Sequence, residues 1–206
     1  MKYDGLLSSE QIEAALDKLG GVEGVKRFLG ESPAAPELAR RWSEQDGVIS
    51  FQVTSNGMSG EAWIAHFEAK GLRVSLYAKS VLLSKGFKPT TGVTTEVRVL
   101  KGMLWKSDSV RTTKNIRAEA TRRELVKPNA ELACLIRDMF TDAEIEVMGL
   151  VWIVAMHDPI EDSDGDPRLL TASRSGDYSL HACLGHSGGQ WRGADGFAFV
   201  VASQVS

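Results

Sequence analysis

The chain has little with which to staple, anchor or charge itself. Its 206 residues include two cysteines, Cys134 and Cys183, too few for a disulfide framework. A reduced, cytoplasmic protein is therefore expected. The longest apolar run, "MGLVWIVAM" from Met148 to Met156, falls far short of the ~20 residues that cross a bilayer, so no membrane partner is expected. The opening "MKYDGLLSSEQIEAAL" lacks the basic head and apolar run of a secretory signal. A net charge of -3 argues against wholesale binding of nucleic acid or anionic membrane. There is no internal repeat and no low-complexity segment. What is there, 43% hydrophobic and 25% charged residues, is the make-up of a folded globular protein with one substantial core.

Residues 1–46 read as a helical segment and linker. Ser8 or Ser9 caps "EQIEAALDKLG", "VEGVKRFLG" forms a second short helix, and the two prolines of "ESPAAPE" (31–37) mark the linker. Residues 47–206 read as an α+β domain, because its strands cluster instead of alternating with helices. "GVISFQVTS" (47–55) carries Val48, Phe51 and Val53 as a strand would, and Asn56-Gly57 turns it. Ser59 caps a helix with Trp63, Ile64 and Phe67 on one face; residues 75–86 form a second, with Leu76, Val81 and Leu83 as core candidates. Val93, Val97 and Val99 share one face of the next strand. Three helices follow, the last opening on a Thr141/Glu144 capping box, and the rest is β.

Candidate chemistry is sparse. Asp162, Asp164 and Asp166 alternate as hard-cation ligands do, but Gly165 comes too early for a calcium loop and no terminal Glu follows, so an acidic turn is the simpler reading. The basic stretch 98–127 could position a phosphate backbone, yet it has no aromatic platform, and a solvated helix face laced with ion pairs explains it better. Nucleic acid is accordingly not the expected partner. His157 ends an apolar strand, where catalytic histidines sit and where histidines bonded to loop carbonyls also sit. His181, Cys183 and His186 could bind zinc or activate a thiol. Their H-x-C-x-x-H spacing gives only three ligands, and no second cluster closes a structural site. The glycines at 185, 188, 189 and 193 also predict a loop that is pliable rather than preorganised. A metal-dependent hydrolase or other small-molecule enzyme, using His157 with Asp162–Asp166 or His181 with Cys183 and His186, is the alternative reading.

"KPTTGVTTEVRVLKG", "KPNAELACLIR" and "MHDPIEDSDGDPRLL" are similar to an uncharacterised bacterial protein family. More informatively, the tail "SLHACLGHSGGQWRGADGFAFVV" (179–201) resembles the variable region of proteins diversified by retroelements. In such systems a reverse transcriptase acts on the gene, not as a binding partner. It copies a template with errors at adenines, and the copy replaces the gene's 3′ end. AAC and AAT codons then yield Asn, Ser, Gly, Asp, His, Tyr, Cys, Arg, Leu or Ala, but not Lys, Glu, Met or Trp. Ser179, His181, Cys183, Leu184, Gly185, His186, Ser187, Gly188, Gly189, Arg192, Gly193, Ala194 and Asp195 all belong to that set, and Tyr178 adjoins them. Leu180, Ala182 and Trp191 interleave as anchors, and "GFAFVV" resembles the last strand of the C-type lectin fold. The resemblance implies a C-type-lectin-like mixed or antiparallel sheet with flanking helices and a helical insertion at 110–149. It further implies a non-enzymatic protein without cofactor or metal, whose surface at 178–195 binds a protein ligand. Those side chains should be exposed, with Trp191, Phe197 and Phe199 buried beneath them.

Overall fold

The computed structural model describes residues 16, 18, 41–174 and 178–202. The chain divides into two compact units, Met1–Arg41 and Trp42–Ser206. In the first, Leu16 and Lys18 are helical; the remaining elements expected there, and the linker at 31–37, lie outside the described residues.

The second unit is α+β, a nine-stranded mixed sheet with five α-helices. Strand β1 (Ser43–Gln45) turns through Asp46-Gly47 into β2 (Val48–Asn56), so the sheet begins ahead of residue 47. Helices α1 (Gly60–Ala69) and α2 (Leu76–Leu82) follow, then β3 (Thr91–Lys101), α3 (Thr113–Arg122) and the short β4 (Leu125–Val126). Helices α4 (Leu132–Met139) and α5 (Asp142–Val147) lead to β5 (Trp152–Ala155), β6 (Ile160–Glu161), β7 (Pro167–Ser173), β8 (Leu180–Leu184) and β9 (Asp195–Val201). The main path runs β1-β2-β3-β9-β5-β7-β6, with β4 on β9 and β8 on β7. Every pairing is antiparallel except β5 with β9.

Local signals set the helix starts. Ser59, Ser75 and Thr112 each accept a backbone N–H from inside the first turn, and Thr141 with Glu144 forms the full capping box. Alternation along the strands then divides the core in two. Ile49, Phe51, Val53, Val97, Val99, Ile153, Ala155, Leu170, Ala172, Leu180, Ala182 and Ala198 face one way. They pack with Trp63 and Phe67 of α1, Val81 of α2, Ile136 of α4 and Ile145 of α5. Leu100, Val154, Leu169, Phe197 and Phe199 face the other way, beneath Ile116 and Ala120 of α3 and the ring of Trp191.

Two expectations change. Val81 is buried as expected, but Leu76 and Leu83 are exposed and α2 buries Ala78 and Leu82 in their place, because the buried stripe falls one residue earlier, on Ser75 and Leu82. Val93 is exposed near the start of β3, while Val97 and Val99 are fully buried. The segment 110–149 is built into the core: α3 covers one face of the sheet, α4 and α5 the other, and β4 extends β9's pairing.

Candidate functional site

The tail leaves the sheet at β8, forms a loop over 185–194, and re-enters as β9. Its anchors are buried: Leu180 and Ala182 enter the core under α2 and α4, and Trp191, Phe197 and Phe199 enter the other core. Trp191 packs edge-on against Phe197 at 5.7 Å, and its indole N–H donates to Thr113 Oγ1 at 3.0 Å.

The loop's shape comes from main-chain bonds to the start of α3, a correction to the expected pliability. Thr113 N–H donates to Gly189 O (3.1 Å) and Lys114 N–H to Ser187 O (3.0 Å). A helix start has backbone donors without intrahelical partners, and here the loop's carbonyls take two of them. Trp191 N–H donates to Arg111 O, and Gly185 N–H to Pro167 O. The guanidinium of Arg111, buried beneath the loop, donates to Gly102 O, Trp105 O and Trp191 O and pairs with Asp108. Gly102 is required at this spot. A Cβ there would come within 2.5 Å of Arg192 O and 2.9 Å of both Gly193 O and Asp195 O, so only glycine lets the turn settle on the chain beneath. Nearly all these contacts use backbone atoms of the loop, so they do not depend on which side chains it carries.

Of the expected surface residues, Tyr178, Leu184, His186, Ser187, Gly188, Arg192, Gly193 and Ala194 are exposed, and Ser179, His181, Cys183 and Gly189 are partly so. Gly185 and Asp195 are buried, against expectation. Gly185 lies against Leu169 and Pro159, and Asp195 turns inward to accept the Arg192 N–H at 2.8 Å. The last of the positions expected to vary is thus the lock of its own turn.

The three candidate ligands do not form a site. His181 and Cys183 share one face of β8, opposite Thr171 and Leu169 of β7, while His186 is exposed on the loop. Burial pushes the Cys183 thiol up to about 11, against the hydrogen bond from Thr171 Oγ1, and this favours the neutral thiol over the thiolate. Burial, helped by Arg168, lowers the pKa of His181, whose ring stacks on Tyr178 at 6.1 Å. Among the described residues, no group of three or more His, Cys, Asp or Glu side chains is placed to hold a metal ion.

His157 is fully engaged by the backbone. Its Nδ1 donates to Asp158 O at 2.6 Å and its Nε2 accepts the Leu170 N–H at 3.0 Å, which defines a neutral ring; burial lowers its pKa to about 4. Asp162 serves its own turn: Oδ1 accepts from the N–H groups of Asp164 and Asp166, and Oδ2 accepts from Arg168 Nε at 2.5 Å. Burial raises its pKa, but these donors outweigh that and hold it below the usual carboxylate range. The basic stretch is similarly committed. Arg122 and Arg123 pair with Glu119, Lys127 with Asp158, and Arg117 donates to His157 O.

Beside the loop, on the face of the sheet that α3 covers only in part, lies a cleft of about 250 Å³ lined by Trp152, Cys183, Leu184, Gly189, Gln190, Trp191, Arg192 and Asp195. The sequence reading missed Trp152. The visible signal was a bulky aromatic at the solvent end of an otherwise aliphatic strand. No protein-family model, curated protein or solved structure matches the chain.

Proposed function

We propose that the chain is a non-enzymatic binding protein, with a C-type-lectin-like body that presents residues 178–195 as a surface diversified by a retroelement to bind varied partners, proteins above all. One observation carries the reading. The loop's conformation is fixed by carbonyls and amides bonded to Arg111, Thr113 and Lys114, while its side chains from His186 to Gly188 and from Arg192 to Ala194 are exposed. A surface of this kind accepts replacement because its stability is drawn from elsewhere. The order β2–α1–α2–β3, with β9 returning to pair beside β3, supports the lectin-like part. The metal-dependent alternative finds no support in the ring contacts of His157 or in Asp162, whose two carboxylate oxygens accept hydrogen bonds from its own turn and from Arg168.

Sequencing the DNA around the gene tests the reading. The expected result is a reverse-transcriptase gene and a near-copy of the tail's coding sequence, with differences confined to adenines. Differences spread evenly over all four bases, or no copy at all, would overturn it.

A further inference from the structure

The cleft beside the loop has a floor that the exposed side chains do not supply. Trp152 of β5 and Asp195 of β9 are register partners in the one parallel ladder, so their side chains stand next to each other on the same face. Asp195 is 1% exposed. Its Oδ2 is held by the Arg192 N–H, but among the described residues Oδ1 has no hydrogen-bond partner. A carboxylate oxygen buried without a donor is costly, and burial raises this group's pKa above the usual value. Above the same floor, the exposed Arg192 places its guanidinium carbon 5.5 Å from the Trp152 ring centroid, within the reach of a cation–π contact. The other nearby cation, Arg111, is spent on three carbonyls and Asp108.

We propose that the recess between Trp152 and Asp195 is a subsite for a cationic hydrogen-bond donor, the arginine or lysine side chain of a protein partner, and that Arg192 covers its aromatic half in the free protein. An aromatic face supplies attraction without direction, and the unpartnered oxygen supplies direction; together they suit a guanidinium or ammonium head. An anion would sit against the Asp195 carboxylate and is disfavoured. The inference rests on the proposed binding role only for the occupant's being a protein side chain. The recess itself is built by β5 and β9.

The test is an NMR titration of the full chain with N-acetyl-arginine methylamide, alongside the matching aspartate and norleucine probes, read at the Trp152 indole signal. Saturable binding of the arginine probe is expected, tightened about three- to fivefold in Arg192→Ala as the aromatic face is released. Asp195→Asn keeps an oxygen for the Arg192 N–H but replaces the unpartnered oxygen with an amide group that cannot accept a hydrogen bond, and should abolish binding. Should that variant not fold, Trp152→Leu, read at the indole signal of Trp191 in the same cleft, should weaken the probe by a similar three- to fivefold. An aspartate probe that binds as well as arginine, an unchanged affinity in Arg192→Ala, or no saturable binding would each overturn the subsite. Arginine binding with no retroelement at the locus sinks the diversification reading alone. A retroelement with no arginine binding sinks the recess alone.

Discussion

The two faces of the sheet are closed in different ways. Four helices cover one face with large apolar side chains, among them Trp63, Phe67 and Phe140, each at most 2% exposed. The other face has one helix, α3, and a loop whose own bulky contribution is the single ring of Trp191. Apolar area holds the first face. The second also relies on hydrogen bonds between backbone groups, which tolerate side-chain change, and on a few buried polar side chains such as Arg111, Asp195 and His157. On the proposed role, separating the two jobs in this way leaves one surface open to substitution.

The contrast is broken most severely on the closed face. Trp63→Ala should cost about 3–5 kcal/mol in a urea melt, since the ring is fully buried and stacks on Phe67 at 5.4 Å. A loss under 1 kcal/mol would mean that this face is not the main store of stability.

Acid should then act through the partly covered face. His157 is neutral when folded, with its pKa lowered from 6.5 to about 4, so between those values the unfolded chain binds the extra proton. Stability is therefore fully present above about pH 6.5 and lost as pH falls through about 4, by about 3 kcal/mol across the window. His157→Gln should flatten that slope, although its stability at pH 7 falls. A slope left unchanged by the substitution would place the acid sensitivity elsewhere.

The smallest effect belongs to the display positions. Replacing Leu184, His186, Ser187, Arg192 and Ala194 one at a time by serine or alanine should shift stability by less than about 0.5 kcal/mol each. Amide exchange at Thr113 and Lys114 should stay slow, because their acceptors are loop carbonyls. Faster exchange at those two amides would show that the side chains do hold the loop.

Much of the fold was legible where local chemistry decides it. Ser59, Thr112 and Thr141 mark helix starts by their side-chain oxygens, and Trp191, Phe197 and Phe199 are buried as their hydrophobicity and position suggest. What escaped depends on partners distant in sequence. Leu76 and Leu83 fit a helical stripe as well as Ala78 and Val81 do, and only the angle at which α2 meets the sheet separates them. Asp195 belongs to the replaceable set by residue type and to the scaffold by contact, a distinction set by the Arg192 amide and the ladder with β5. The loop's rigidity was hidden for the same reason. Its glycines suggest freedom, while the bonds that remove it come from residues 73 to 80 positions earlier, at 111–114.

The position of β9 carries a further consequence. This strand lies mid-sheet, hydrogen-bonded to β3 on one side and β5 on the other, and it is encoded downstream of the whole loop. A shifted reading frame or a premature stop anywhere in 178–194 therefore deletes the sheet's middle plank, leaving two half-sheets with raw edges. If the loop is rewritten as proposed, folding itself screens each copy: a substitution passes, and a frame-shifted copy does not.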